Sequence, residues 1–540
     1  MKRILLATLL TLSLNGFSQS KYFIAFTNKS NSTYSTENPS DFLSPTAISR
    51  RERQGISVTT QDLPVNQQYI DAVIKQGAMV KYPLKWFNGV VAEIPSSAVT
   101  TAILGLDFVA SVSQIFDPAK QGTPLSEFDF GAAYQSKSTD TDRFSYGSAA
   151  QQIKMLNGHI LHNQGFTGKG MTIAVLDAGF RNVNTLTAFD SLRNSQRLLG
   201  TKDFVNPAAN IYLQHSHGTV VLSTMAGLIP NTLVGTAPHA SYWLIRTEDT
   251  NSEQLIEEYN WAAGAEFADS VGADVINSSL GYTTFDVTSQ NHTYAELDGN
   301  TAPSTKAANI AAQKGMVVVI SAGNDGDSPW RYISAPADAT GVLTVGATTS
   351  TGQPASFSSV GPSADGRIKP DIAAMGVNTA VQNIDGSIGT TNGTSLSAPV
   401  ISGLVACLWQ AHNSYTATEI VEQIKANASQ SQLPNNTLGY GLPNFGTALS
   451  TNNMENSSAA GLRIYPNPFD TTITLTLPNA TNKLVSVTVV SVNGQRLVSQ
   501  VKNASNGLVE LILPKELSSG LYLINVTYDT VKLSTKALKL

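Results

Sequence analysis

From Tyr146 to about Ser450 the chain alternates short apolar strand candidates with helical patterns. The strands are expected at Thr172 to Leu176, Tyr242 to Arg246, Val275 to Ser278, Val317 to Ser321 and Val342 to Val345. A strand covered on both faces reads as an unbroken apolar run, and a parallel neighbour requires a crossover segment, so this alternation predicts an α/β fold with a mainly parallel sheet covered by helices. Glu253 to Ala268 repeats apolar residues at helical spacing, and Ser397 to His412 does so almost without charge, which implies a buried helix. Trp261 and Cys407 fall inside these patterns and are expected in the core.

The regions on either side differ. Lys2 and Arg3, the apolar run Ile4 to Leu14 and the small-x-small pattern Gly16-Phe17-Ser18 have the layout of a secretory signal peptide over 1–18. The run is shorter than the roughly 20 residues of a spanning helix, and no later segment reads as one. Residues 19–120 predict a small α+β domain: a strand at Tyr22 to Phe26, a helix segment at Asp71 to Gln76, paired strands across Val80 to Ile94, and a closing strand at Phe108 to Ile115. Residues 121–145 are polar and turn-rich, so they read as an exposed connector open to proteolysis. Residues 451–460 form a second polar joint. Beyond it, 461–540 turns to short alternating strands at Thr472 to Leu477, Val485 to Val490, Leu508 to Leu513 and Tyr522 to Tyr528, the pattern of a β-sandwich.

Composition narrows the chemistry. The 540 residues carry 34 Lys and Arg against 39 Asp and Glu, a formal charge of −5, which argues against nucleic acid as a partner. A single cysteine, Cys407, excludes an intramolecular disulfide and a Cys-based zinc site. A monomer is the expected state.

Three central segments each bring one reactive side chain to a turn, in the order Asp, His, Ser. In IAVLDAGF an apolar strand delivers Asp177 to its C-terminal end, where ligands of open parallel sheets bind. Alone, Asp177 also fits a turn residue that bonds nearby amides. In HSHGTVVLSTMAG, His217 stands at a helix start, where the dipole lowers its basicity and favours the neutral base. His215 and His217 also fit an HxH metal pair, but no third ligand follows at a recognisable spacing. In TTNGTSLSAPVISG, Ser395 precedes a long apolar helix; a serine hydroxyl attacks only when a base takes its proton, and in isolation the same residue reads as a helix cap. A fourth segment, VVVISAGNDGD, ends a strand at Asn324, whose amide can donate to an oxygen that becomes negative. Asp325 beside it would favour basic side chains in an adjacent pocket.

Taken together, VLDAG, HGTVV, SAGND and GTSLSAP resemble the Asp, His, oxyanion and Ser motifs of the subtilisin-like (subtilase) serine peptidases. The chain order Asp, His, Ser is the subtilisin order. The resemblance implies that Asp177, His217 and Ser395 form the catalytic triad, that Asn324 holds the oxyanion, and that Ser279, Leu280 and Gly281 line the substrate. It implies no required cofactor and leaves structural calcium open, since no complete oxygen-ligand cluster stands in the sequence. Two positions depart from the commonest pattern: Ala178 replaces the Ser or Thr that often follows the Asp, and Val220 stands where many relatives carry a second His. Residues 19–120 resemble, more loosely, inhibitory propeptides of this family. Tyr465-Pro466-Asn467-Pro468, Val492-Asn493-Gly494 and the basic end resemble the C-terminal sorting domains of type IX secretion substrates, which implies export through a Gram-negative periplasm to the medium or cell surface. The expected partners are protein or peptide substrates, the chain's own propeptide and the type IX machinery. The competing reading is a catalytically silent subtilase scaffold used for surface binding or adhesion. An esterase of the α/β-hydrolase kind would carry Gly-x-Ser-x-Gly, and Gly393-Thr394-Ser395-Leu396-Ser397 lacks the last glycine.

Overall fold

The computed structural model describes residues 19–120, 122, 128–132, 141–450, 462–465, 469–477, 480, 482–491, 495–505, 507–514, 517–529 and 531–539. The expected leader at 1–18, the joint at 451–460 and most of the YPNP and Val492-Asn493-Gly494 signatures lie outside the described residues. The chain divides into two units, Met1–Leu449 and Ser450–Leu540.

Within the first unit, strands Met79–Leu84, Gly89–Glu93, Lys21–Phe26 and Val109–Phe116 form an antiparallel sheet in that order. Its strands alternate faces, so adjacent residues enter different cores. Ile24, Val90 and Ala92 pack with Ile70, Val73 and Ile103 beneath helices Gln67–Lys75 and Ser97–Leu104. Phe23 and Val91 turn the other way and, with Tyr82, Leu84 and Trp86, join the core around Trp261, Ala265 and Ala308. The small domain is therefore seated on helices Ile256–Val271 and Pro303–Gln313.

The central sheet has seven strands, all parallel, in the order Ile372–Met375, Leu343–Thr348, Val317–Ser321, Val275–Ser278, Thr172–Asp177, Ser241–Arg246 and Leu198–Asp203. From Thr172–Asp177 the chain first winds toward one edge through Leu198–Asp203 and Ser241–Arg246, and then toward the other edge from Val275 onward. The winding reverses beside Thr172–Asp177, and a crevice opens beyond the carboxyl ends of strands at such a reversal. Helices His217–Ala226, Thr394–Ala411 and Ala417–Ala426 cover one face and Ile256–Val271 and Pro303–Gln313 the other. Two of the strands were not foreseen. Leu198–Asp203 is a half-exposed edge strand containing Lys202, and Ile372–Met375 has only four residues, two of them alanine.

Helix Thr394–Ala411 is long and apolar enough to cross a bilayer, with a mean hydropathy of 1.3, contrary to the sequence expectation. It is 89% buried inside the protein, where its apolar girth meets sheet and helices rather than lipid. Trp261 and Cys407 are fully buried, and the Cys407 thiol donates to the Thr236 carbonyl at 3.2 Å.

The second unit packs sheet Arg463–Tyr465, Thr472–Thr476, Leu508–Ile512 against sheet Arg496–Asn503, Leu484–Ser491, Gly520–Tyr528, Val531–Lys539. Ile473, Leu475, Val487, Val489, Ile524 and Val526 fill the space between them, one face of each strand pointing inward as in a sandwich.

Candidate active site

Asp177 ends the strand Thr172–Asp177 and is fully buried. Its Oδ1 accepts from its neighbour's amide, Ala178 N–H, at 2.7 Å and pairs with His217 Nδ1 at 2.8 Å. Two glycines allow the carboxylate and imidazole to approach. At Gly179 (φ 156°) a Cβ would sit 2.5 Å from the His215 nitrogen, and at Gly218 one would sit 2.5 Å from the Gly179 carbonyl oxygen and 2.9 Å from Asp177 Cβ. Any side chain at either position would drive the loops apart. Thr219 Oγ1 donates to the Arg181 carbonyl at 2.7 Å and ties the first turn of the His helix to the loop after Asp177.

His217 is the first residue of helix His217–Ala226, and Ser395 is the second residue of helix Thr394–Ala411. Both therefore stand at the positive ends of helix dipoles. Gly393, at φ 147°, turns the chain into the serine helix, and its N–H donates to the Gly376 carbonyl at 2.8 Å. Ser395 is thus inside the helix rather than at its cap, and its hydroxyl donates to the Ser279 carbonyl at 3.3 Å. In return Ser279 Oγ donates to the Ser395 carbonyl at 2.9 Å, and Ser402 Oγ donates to Asn277 Oδ1 at 2.8 Å, so the end of strand Val275–Ser278 is laced to the serine helix. Asn324 Oδ1 accepts from Thr394 N–H and Thr394 Oγ1, both at 2.9 Å. That use of the carbonyl end orients the amide and reserves Nδ2 as a donor.

His217, Asn324, Ser395, Ser279, Leu280 and Gly281 all line one cleft of about 830 Å³. The structure thus brings Asp177 and His217 into contact and gathers the other proposed site residues around the same space. Asp325 also lines the cleft, with Oδ1 accepting from Ser328 Oγ at 3.1 Å. His215 Nδ1 accepts from the His217 backbone N–H at 3.2 Å. Among the described residues no group of three or more His, Cys, Asp or Glu is placed to hold a metal ion.

Three features escaped the sequence reading. The first is an acidic wall of Glu248, Asp249, Glu253 and Glu257 facing the cleft, with no Lys or Arg among the described lining residues. Burial, reinforced by like charges, pushes Glu248 up to about 7 and Glu253 up to about 8, and raises Glu257 well above the carboxylate range. Like charges at Glu253 and Glu257, four residues apart in the chain, were the available signal. The second is Ser334, buried between Gly281 and Gly323, whose hydroxyl has no hydrogen-bond partner among the described residues. It gives the cleft a polar floor. The third lies within 121–145, where five described residues, Phe128 to Ala132, stand at the cleft. Gly131–Ala132 pairs antiparallel with Ile388–Thr391, and the Phe128 ring lies on His217, centroids 4.8 Å apart and planes inclined by 15°. The alternating Phe-Asp-Phe in an otherwise polar stretch was the signal.

A parallel α/β sheet with a carboxylate–imidazole pair at its carboxyl edge and a serine at a facing helix start defines the parallel-sheet class of serine-peptidase folds. Residues 168–441 match the Subtilase family, residues 21–127 the Peptidase S8 propeptide domain of Bacteroidota, and residues 463–539 the Secretion system C-terminal sorting domain. Subtilisin NAT of Bacillus subtilis subsp. natto is 32% identical over 281 residues, 51% of this chain and 65% of that protein. Subtilisin of Bacillus pumilus is 31% identical over 281 residues, 90% of its length. Among solved structures, MycP1 with its N-terminal propeptide removed is 27% identical, covering 55% of this chain and 96% of that one, with a TM-score of 0.43. The chain belongs to the subtilase family, with a family propeptide before the peptidase domain and a type IX sorting domain after it.

Proposed function

We propose that this protein is an exported serine endopeptidase, made as a zymogen, that cleaves extended segments of other proteins through Asp177, His217 and Ser395. The observation that carries the reading is the Asp177–His217 bond at 2.8 Å on the rim of the cleft that Ser395 and Asn324 also line. Ser395 Oγ attacks the scissile carbonyl while His217 takes its proton. Asp177, accepting from Nδ1, holds the ring with Nε2 toward the serine and stabilises the imidazolium. The oxyanion is received by Asn324 Nδ2 and the Ser395 backbone N–H, oriented donors that need no rearrangement as charge develops. His217 then protonates the leaving amine, and water releases the acyl group by the reverse route.

Ser279, Leu280 and Gly281 pair with the substrate backbone by strand addition, which recognises an extended chain without reading its sequence. The propeptide domain blocks access until the chain is cut within 121–145, and the sorting domain delivers the protein through the type IX machinery. No step requires a cofactor. The Phe128 ring over His217 favours a latent full-length chain as well as an active processed one. The test compares wild type with Ser395→Ala for casein digestion and covalent labelling by a fluorophosphonate. Equal behaviour of the two proteins rejects the peptidase reading.

A further inference from the structure

After the propeptide domain the chain is anchored beside the cleft at two places, around Asp117 to Gly122 and at Phe128 to Ala132, and the two anchors are chemically unlike. Upstream, the buried Gln254 side chain accepts from Asp117 N–H at 2.7 Å and donates to the Asp117 and Lys120 carbonyls at 3.1 and 3.0 Å. Gly122 passes so near Asp286 that a Cβ there would sit 2.3 Å from its carboxylate. Asp286 Oδ2 in turn accepts from the backbone N–H of Glu253, part of the acidic wall. Downstream, Phe128 lies on the His217 ring, and Phe128 and Phe130 pack on Val220, Val381 and Leu396. Thr391 Oγ1 donates to the Asp129 carbonyl at 2.7 Å, and Gly131–Ala132 extends the sheet of Ile388–Thr391.

The chain direction identifies the downstream end. A peptide bond cleaved by Ser395 releases the amine on its C-terminal side, and the imidazole must protonate that amine. Gly122 stands beside Asp286 and the acidic wall, and Phe128, later in the chain, lies on His217, so Phe128 to Ala132 stand on the leaving-group side. Residues two apart in an extended segment point the same way, and both aromatic rings meet the same apolar patch. This patch is formed by the residue after the nucleophile, Leu396, by Val220 of the His helix and by Val381 of the adjoining strand.

We propose that the leaving-group side of the cleft is an aromatic-binding subsite, built from the face of His217 with Val220, Val381 and Leu396. It selects peptide substrates that carry aromatic side chains downstream of the cleaved bond, and Phe128 and Phe130 occupy it in the full-length chain. The assignment rests on the peptidase reading and adds a preference that the triad does not dictate. Apolar burial available only to an aromatic residue lowers the barrier for such substrates over small ones by about tenfold in kcat/KM.

The experiment uses the processed Phe128→Ala/Phe130→Ala protein, whose own segment no longer competes. It is given two internally quenched peptides that are identical before the cleaved bond and carry Phe-Asp-Phe or Ala-Asp-Ala after it. The expected result is about tenfold higher kcat/KM for the Phe peptide, with the ratio falling toward one when Val381→Ala is added. Equal kcat/KM for the two peptides overturns the subsite while leaving the peptidase reading intact. Absence of any Ser395-dependent hydrolysis rejects both. Where the variants do not fold, cleavage-site profiling of a denatured protein digest by processed wild type replaces them: aromatic enrichment at one or two downstream positions supports the subsite, and a flat downstream profile overturns it.

Discussion

The N-terminal region covers the catalytic domain on two surfaces that are built in opposite ways. On the outer helices the contact is a buried charge network. Asp269 receives Arg50 at 2.5 Å and Arg51 at 2.7 Å, and Asp62 receives Arg51 and Lys314, both at 3.0 Å. Glu266 accepts the backbone N–H groups of Lys85 and Trp86 at 2.8 Å each. In the cleft the contact among the described residues is a two-residue strand pairing, side-chain hydrogen bonds from Thr390 and Thr391, and two aromatic rings. A buried ion pair is costly to break one partner at a time, whereas rings over an open groove can be exchanged for a substrate's side chains. Under the proposed zymogen reading, the charge network holds the propeptide and the rings plug the cleft, so the two contacts can be released separately.

The sharpest way to separate the two surfaces is to stop the cut. Ser395→Ala is expected to lose about a millionfold in kcat, and gel analysis should find its N-terminal domain still covalently attached. N-terminal sequencing of the active wild type should begin within 121–145, and an active species that retains the whole N-terminal domain would contradict the zymogen claim. Next in size, Asp269→Ala leaves Arg50 and Arg51 buried without their shared carboxylate, a loss of about 3–5 kcal/mol. The cleaved N-terminal domain should then leave the enzyme several-hundredfold more readily, measured as its inhibition constant; an unchanged constant would mean that the cleft contact holds it. Asn324→Ala removes one donor to the oxyanion and should lower kcat by about 10²–10³ with little change in KM.

The smallest effect probes the cleft wall, where charges are crowded rather than paired. Burial, together with Glu248, Asp286 and Glu258, raises Glu253 to about 8, above the ordinary 4.5 of an exposed glutamate. The native state therefore holds a proton that the unfolded chain releases as pH rises above about 4.5. The resulting stability is full below that pH and is lost as pH climbs through about 8. Glu253→Gln should match wild type near pH 5 and melt about 3 °C higher near pH 9, followed by thermal denaturation across that range. A constant difference at all pH values would remove the crowding argument.

Much of this was readable along the chain because the signals were local. Apolar runs such as Ile173 to Leu176 and Val317 to Ile320 announced buried strands, and each reactive residue carried its own turn chemistry in Gly179, Gly218 or Gly393. The strand Leu198–Asp203 was missed because an edge strand leaves half its residues in water and loses the apolar signature. Ser334 and the acidic wall were missed for a different reason. A serine and a few glutamates acquire a role only from what folds against them, here Gly281 and Gly323 around the hydroxyl and the Asp286 loop beside Glu253.

The sequence by itself determined the identity of the reactive groups, their order and the parallel α/β class, because bond types, helix dipoles and strand periodicity are properties of neighbouring residues. Only the tertiary structure decided that Asp177 reaches His217 across 40 positions, that Phe128 lies on that same imidazole, and that the propeptide is seated on Asp269. These depend on sheet order and on which side chains exclude water together, and no local pattern encodes either one.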